Sequence, residues 1–320
     1  MISNKEKYRL LCQSEQSIPI FLKDWWLDAV CGNSWDVCLV TQDDEIRAAM
    51  PYYFSKNKLG HLVLSHPMLT PFLGPWLKIT KVRETKKLSE EKKYLNKLIE
   101  GLPKFGHFEQ NWHYLNINWL PFYWNNFQQT TRYTYRINDI SDLSVVWNNL
   151  NDNIKREINK AKNRFKLIVR QDLSIDDFLE LNEKTFRRQG MEMPYSKFIV
   201  NQIDKACKSH RSSRLFIAED ENGKRHAGVY IIWDEQSAYY LLGGGDPELR
   251  TSGASSLCMW EAIKFASSVS ESFDFEGSMI EPIERFVSSF GATQTPYFAV
   301  SKTPSILIAI RRFIDRLQNQ

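Results

Sequence analysis

The chain has 320 residues, of which 42% are hydrophobic and 25% are charged, the balance of a folded globular protein. This composition excludes disordered, collagen-like and coiled-coil chains. The net charge of +4, from 42 basic and 38 acidic residues, is too small for a dedicated nucleic-acid-binding protein. A chain of this length is expected to form about two domains.

The first half is predicted to be a mixture of helices and strands. WDVCLVTQDDEIRAAMPYYF (35–54) alternates apolar and polar residues around an acidic turn, which is typical of a hairpin. The remaining elements predicted here are a helix at 21–30, a strand at 61–65, a Pro/Gly-rich loop at 67–77, a helix at 88–100, and strands at 112–117 and 132–137.

The second half repeats this order. Its hairpin, 214–233, aligns with 35–54 at an offset of 178, which favours an internal duplication over chance similarity. Around it we predict helices at 152–163, 174–188, 194–209, 254–268 and 283–290, strands at 165–170, 238–242, 273–276 and 297–300, and a helix from 304. The fold class is therefore α/β with α+β mixed sheets, and the predicted domains are 1–145 and 146–320.

The five cysteines include no C-x-x-C pair, and the six histidines lack the spacing of metal ligands. We therefore expect reduced thiols and no metal. The N-terminus lacks a signal peptide, and the apolar run 306–310 is too short to span a bilayer, so we expect a cytoplasmic protein. The basic segment 155–170 leaves open a contact with the inner face of a membrane or with a phosphate-bearing donor, although a solvated helix face explains it equally.

The segment YYLLGGGDPELRTSGASSLCMWEAIKFA (239–266) is the most informative one. A strand enters glycines, a loop follows, and a helix of small residues begins. Backbone N–H groups at such a helix start form an anion site suited to a pyrophosphate, although a plain loop with a capped helix is the alternative. The residues predicted to bind the donor cofactor are Gly243, Gly244, Arg250, Gly253, Ala254 and Ser255.

Arg250-x-x-Gly253-x-Ser255 resembles the Gln/Arg-x-x-Gly-x-Gly/Ala loop of GNAT (Gcn5-related N-acetyltransferase) enzymes, which binds the pyrophosphate of acyl-coenzyme A. The order of motifs along nearly the whole chain resembles the Fem family of bacterial peptidoglycan aminoacyltransferases. These motifs are FLKDWWLDAVCG (21–32), LTPFLGPW (69–76), NIKREINKAKNRFKLIV (153–169), FLELNEKTFRRQG (178–190), FDFEGS (273–278) and IERFVSSFGA (283–292). The resemblance implies two tandem GNAT-like domains, the first on the acceptor side and the second binding the donor.

Two departures from this family concern the donor. Members that use aminoacyl-tRNA tend to have a lysine in Arg-Phe-Lys-x-x-Phe-Gly, and this chain has Val287 at that place. The coiled-coil arm of some Fem proteins is also missing, because no sustained heptad occurs. Both points favour acyl-coenzyme A over aminoacyl-tRNA as the donor.

The candidate catalytic residues follow the donor loop. We predict Glu276 as the general base, with Asp274 on the same face of its strand. Tyr240 is a further catalytic candidate; Tyr239 and Tyr240 point to opposite sides of their strand, so at most one of them faces the cleft, and a place in the core is the alternative for each. Backbone N–H groups of 239–243 are expected to polarise the acyl carbonyl. Alternatively, either acid caps the next helix or pairs with Arg285. Arg285 either anchors an acidic acceptor, takes the role of the missing lysine, or pairs with Glu281 or Glu284 on the surface.

The acceptor side is predicted from aromatic residues. Trp25, Trp26, Phe72 and Trp76 are candidates for a wall that binds a sugar or peptide acceptor, with two of the four expected in the core.

Three functions remain open at this stage. The leading one is transfer of an acyl group from acyl-coenzyme A to an amine of a cell-envelope precursor, an amino sugar or amino acid. The second is aminoacyl-tRNA-dependent extension of a peptidoglycan bridge. The third is a non-catalytic binding protein for envelope assembly. Acceptor, acyl group and oligomeric state are not predicted.

Overall fold

The computed structural model describes residues 2–58, 60–78, 83–277, 279–305 and 308–309. The helix predicted from residue 304 lies mostly outside them. The helices, in chain order, are α1 (Asn4–Ser14), α2 (Asp24–Cys31), α3 (Glu84–Glu100), α4 (Leu120–Trp124), α5 (Leu143–Asn149), α6 (Asp152–Asn163), α7 (Ile175–Arg188), α8 (Lys197–Ser209), α9 (Ala254–Ala266) and α10 (Glu281–Ser288). The strands are β1 (Trp35–Gln42), β2 (Glu45–Lys56), β3 (Leu62–Ser65), β4 (Trp76–Leu77), β5 (His107–Asn111), β6 (Gln128–Ile137), β7 (Ile168–Arg170), β8 (Ser213–Glu219), β9 (Arg225–Trp233), β10 (Ser237–Gly245), β11 (Ser272–Asp274) and β12 (Thr293–Lys302).

The chain divides into two compact units. Unit 1 comprises residues 1–132 and 296–320, and unit 2 comprises 133–295. The chain passes from unit 1 into unit 2 within β6 and returns within β12. This division differs from the predicted domains 1–145 and 146–320 mainly in the C-terminal segment, which here belongs to unit 1.

Unit 1 contains a mixed sheet. β1, β2 and β3 pair antiparallel, β3 pairs parallel with β5, and β5 pairs antiparallel with the end of β12. The short β4 adds to β2. Apolar side chains from this sheet, from α3 and from α4 form one buried cluster that includes Leu98, Phe108 and Phe122.

Unit 2 contains a second mixed sheet in the order β6-β11-β10-β9-β8-β7, in which β10 and β11 are parallel and the other pairs are antiparallel. α6 and α9 pack on one face, where Val229 and Ile231 join their cluster. Gly228, which directly precedes Val229 in β9, faces Phe178 of α7, because successive residues of a strand point to opposite faces. The sheet is therefore covered on both sides.

Local sequence signals explain the start of α7 and the docking of α6 in unit 2. Ser174 and Asp177 form a capping box at the start of α7, as the sequence predicts for Ser174. In α6, the buried residues Ile154, Ile158 and Ala161 lie at helical spacing and dock this basic helix on the core.

The predicted α/β class with mixed sheets is confirmed, and both predicted hairpins are present as β1–β2 and β8–β9. The strand predicted at 112–117 is wrong. β5 ends at Asn111, and the following residues form a loop before α4. The alternation of apolar and polar residues there reflects exposed side chains, because Leu115 and Ile117 point to solvent.

Candidate active site

A gap opens in the sheet of unit 2 where β10 and β11 separate. β10 pairs with β11 only through residues 237–239, but with β9 as far as residue 245. A register shift follows Tyr240, and such bulges re-aim strands beside many active sites. In the described part of the chain, residues 240–245 thus have a strand partner on one side only.

α7 closes the far end of this free edge. The Asn182 side-chain amide donates to the Gly243 carbonyl at 2.7 Å, and the Gly245 N–H donates to the Thr185 hydroxyl at 2.9 Å. A Cβ on Gly244 would lie 2.6 Å from the Asn182 nitrogen, so Gly244 allows the close approach of α7. The stretch that stays open is therefore the short one after Tyr239, within the predicted carbonyl-polarising segment 239–243.

Tyr240 folds back over the same glycines. A Cβ on Gly243 would lie 1.7 Å from the Tyr240 hydroxyl oxygen, so a side chain at 243 would displace the Tyr240 ring. Burial raises the pKa of Tyr240 well above its usual value. The phenol therefore stays protonated at neutral pH and is not a resting base.

A buried carboxyl pair lies where the two strands separate. Asp274, the last residue of β11, pairs in register with Tyr239 and is 3% exposed. Its Oδ1 accepts hydrogen bonds from the Thr134 hydroxyl and, at 2.9 Å, from the Glu276 backbone N–H. Its Oδ2 lies 3.7 Å from Nε of Arg136. Burial raises the pKa of Asp274 to about 6, although these partners favour the charged form.

The surroundings of the Glu276 side chain differ from those of Asp274. Its backbone has φ +54°, an unfavourable conformation for a residue with a side chain. Although part of the residue is exposed, its Oε1 is buried and has no hydrogen-bond partner among the described residues. Burial, and then the charge of Asp274, raise the pKa of Glu276 well above its usual value. In its ionised form, the Glu276 carboxylate is therefore a stronger base than an ordinary carboxylate.

The two acids do not lie on one strand face as predicted. β11 ends at Asp274, and the left-handed backbone of Glu276 turns the chain out of the strand. Neither acid caps α10, whose N-terminal flanking residue is Ile280. Arg285 is 74% exposed and forms an ion pair with Glu281 one turn away, which is the surface alternative stated for it.

The donor loop leads from β10 to α9. Gly253 has φ +80°, and a Cβ there would lie 2.2 Å from the Glu157 carbonyl oxygen of α6. α9 begins immediately after it with Ala254, without a side-chain cap. Its first-turn N–H groups thus remain available to an anion. Ser255 is exposed, and so is Arg250, which forms no ion pair with any residue that the structure describes.

Ser252 is a further polar group at this helix start, and the sequence reasoning did not single it out. The residue is 1% exposed, and its hydroxyl oxygen is buried without a hydrogen-bond partner in the described residues. A buried hydroxyl without a partner costs free energy, which a ligand at the start of α9 would recover.

The predicted acceptor residues lie in unit 1. Trp26, Phe72 and Trp76 are buried, and Phe21 contacts Trp26 and Phe72 edge-on with ring centroids 4.9 Å apart in both pairs. The structure therefore places three of the four predicted residues in the core, one more than expected, and leaves only Trp25 partly exposed.

The thiols provide no reactive nucleophile. All five cysteines are free, and burial raises the pKa of each thiol to about 12, including that of the partly exposed Cys31. Among the described residues, no group of three or more His, Cys, Asp or Glu side chains could hold a metal ion. No described helix is both long and apolar enough to cross a bilayer.

Comparison with known proteins identifies the domain. Residues 148–277 match the family model described as an acetyltransferase (GNAT) domain, and this range contains the strand gap, the donor loop and both carboxyls. No curated protein matches the chain.

Three solved structures are similar over nearly the whole chain. FemX is 12% identical with a TM-score of 0.68, covering 93% of this chain and 96% of its own. The C-terminal domain of a putative lysylphosphatidylglycerol synthetase from Agrobacterium fabrum is 9% identical with a TM-score of 0.58, covering 98% and 97%. L-PGS from Bacillus licheniformis is 11% identical with a TM-score of 0.54, covering 99% and 98%. The chain is thus an acyltransferase that carries a GNAT-type domain, and its fold is similar to that of FemX.

Proposed function

We propose that the protein transfers an acyl group from acyl-coenzyme A to an amine of a cell-envelope precursor, an amino sugar or an amino acid. The observation that carries this proposal is the coincidence of the strand gap with the Asp274–Glu276 carboxyl pair. The gap supplies backbone N–H groups, and the pair supplies a proton acceptor beside them.

The residues around α9 suit the phosphates of the donor. The uncapped N–H groups of Ala254 and Ser255, the buried Ser252 hydroxyl and the exposed Arg250 guanidinium all belong to one short segment. Gly253 brings this segment against α6, whose exposed cations include Arg156 and Lys162. Such a cluster fits a pyrophosphate with an additional phosphate nearby.

The proposed reaction is direct attack. An acceptor amine reaches the site as an ammonium ion, and the Glu276 carboxylate takes one proton from it. The amine nitrogen then forms a bond to the thioester carbonyl carbon. Backbone N–H groups of the open stretch of β10 stabilise the oxyanion. As the intermediate collapses, the carbon–sulfur bond breaks and the thiolate leaves, while the nitrogen loses its second proton to solvent.

The raised pKa of Glu276 suits this role. A carboxylate with an ordinary pKa is too weak a base to deprotonate an ammonium ion efficiently. A raised pKa reduces the difference between the pKa of the carboxyl group and that of the ammonium ion. Asp274 accepts the Glu276 backbone N–H and therefore helps to hold the unusual turn that aims this side chain.

Aminoacyl-tRNA is the second candidate donor. The exposed cations of α6 and of the loop after it, among them Arg156, Lys162, Arg164 and Lys166, favour a polyanion. Val287 counts against it. This valine is fully buried in the core of unit 2, so the lysine that tRNA-using members carry there has no counterpart in the site.

Calorimetric titration distinguishes the donors. We expect acetyl-coenzyme A to bind the wild type and to lose at least about tenfold in affinity in Arg250→Glu, because the charge reversal repels phosphate. The matched control is Lys205→Glu, a charge reversal at an exposed site on α8, which should bind as the wild type does. Binding of a charged-tRNA mixture without binding of acetyl-coenzyme A would overturn the donor assignment, and binding of neither would favour the non-catalytic function.

A further inference from the structure

A contiguous stretch of unit 1 exposes an unusual number of large apolar side chains. Within ten residues of one another, Leu115 is 67% exposed, Ile117 75%, Leu120 43%, Tyr123 59% and Trp124 55%. We call these five residues the 115–124 patch. Single exposed apolar side chains are common on soluble proteins, but a group of this size marks an interaction site.

The patch is held rigidly by buried neighbours. Phe122 of α4 is fully buried, with its ring 4.7 Å from Trp112 and 4.9 Å from Phe127. In the loop before α4, the Asn116 side-chain amide donates to the Pro75 carbonyl at 2.7 Å. The packing of unit 1 therefore keeps the side chains of the patch exposed.

Helix geometry places part of the patch on one face. Leu120, Tyr123 and Trp124 stand at positions i, i+3 and i+4 of α4, so their side chains lie side by side. Leu88 of α3 is 41% exposed and stands one turn before Lys92, which itself contacts Trp124. The apolar surface thus continues from α4 to the neighbouring turn of α3.

Charge is distributed around the patch and not within it. Residues 110–131 contain no Asp, Glu, Lys or Arg. Two lysines border the patch. Lys92 Nζ lies 5.8 Å from the Trp124 ring, and Lys302 Nζ donates to the Asn125 carbonyl at 2.7 Å. A carboxylate also borders the patch, since Glu91 accepts a hydrogen bond from Asn118 at 3.0 Å.

We propose that the 115–124 patch docks the protein on the surface of an anionic lipid bilayer. Tryptophan and tyrosine side chains favour the headgroup region, and leucine and isoleucine side chains favour the acyl boundary just below it. Lysines at the border attract anionic headgroups. An uncharged, aromatic-rich surface with a cationic border matches this occupant better than it matches a polar protein surface.

Co-sedimentation of the full chain with vesicles tests the proposal, and it requires neither donor nor acceptor, so it is independent of the proposed reaction. The vesicles contain phosphatidylcholine and phosphatidylglycerol at about 7 to 3, or phosphatidylcholine alone. We expect the wild type to bind the anionic vesicles more tightly. The double variant Leu120→Glu/Trp124→Glu should bind them at least about tenfold more weakly, because two apolar contacts are replaced by repelled charges.

The matched control is Leu10→Glu/Phe198→Glu, which adds the same two charges at residues that are 58% and 69% exposed outside the patch. It should bind as the wild type does. Urea unfolding of each variant verifies its fold. If the double variant unfolds at a lower urea concentration than the wild type, Ile117→Glu, in the loop before α4, replaces it.

Three outcomes would overturn the proposal. The first is a wild type that sediments with neither vesicle type. The second is equal weakening by the patch variant and the control. The third is a wild-type dimer in light scattering that the patch variant converts to a monomer, which would show that a second copy of the chain covers the patch.

Discussion

Replacing Asp274 with Asn gives a stability change whose pH dependence follows from the structure. Burial raises the pKa of this carboxyl from 3.8 to about 6 in the folded protein. The folded state therefore binds the proton more tightly than the unfolded state, and wild-type stability falls as the pH rises from about 4 to about 7. A difference of two pKa units corresponds to about 3 kcal/mol of unfolding free energy once both states are ionised.

The Asn side chain does not ionise, so the variant lacks this fall. It keeps an oxygen that can accept from Thr134 and from the Glu276 N–H. The attraction to Arg136 acts only on the ionised carboxylate, so it is already included in the pKa of Asp274 in the folded protein. Urea unfolding at several pH values between 4 and 8 measures the difference in slope. We expect the variant curve to be flatter by about 2–3 kcal/mol over this range.

Glu221→Gln is the control for this experiment, because Glu221 is exposed in the turn between β8 and β9. Its curve should run parallel to that of the wild type. Parallel curves for wild type and Asp274→Asn would refute the reasoning, since they would mean that Asp274 does not retain its proton on folding.

Two further substitutions test the site. Gly253→Ala should lower the free energy of unfolding by about 2 kcal/mol or more and weaken donor binding, because its Cβ would meet the Glu157 carbonyl at a positive φ; urea unfolding and calorimetry check this, and an unchanged midpoint would contradict it. Val287→Lys should destabilise unit 2 by about 3 kcal/mol or more, since it buries an unpaired ammonium group in the core; a variant that unfolds as the wild type does would instead show that this position reaches solvent or the site.

The sequence was sufficient to predict features that depend on neighbouring residues. The loop between β10 and α9 is one of them, because glycines between a strand and a helix of small residues are a local signal. The capping box of α7 is another. The two hairpins were predictable from alternation around polar turns.

Features that depend on distant pairing were not predictable. The hydrogen bond between Thr134 and Asp274 joins residues 140 positions apart, and nothing around Arg136 indicates that it will lie beside a buried carboxyl. The left-handed backbone of Glu276 was not predictable either, because the sequence has its glycine one residue later, at Gly277. The alternation of apolar and polar residues at 112–117 led to a wrong strand prediction, because a loop that exposes every second apolar residue has the same pattern as a half-buried strand.

The most direct test of the proposed chemistry is release of the free thiol of coenzyme A from acetyl-coenzyme A, followed with and without amino-sugar and amino-acid acceptors. We expect release that requires an amine, and a fall of about 10²–10⁴-fold in Glu276→Gln with unchanged affinity for the donor, because that variant lacks only the proton acceptor. Glu221→Gln should keep the wild-type rate. Equal rates in wild type and Glu276→Gln would contradict the role of this carboxyl, and an absence of amine-dependent release together with consumption of aminoacyl-tRNA would contradict the proposed donor.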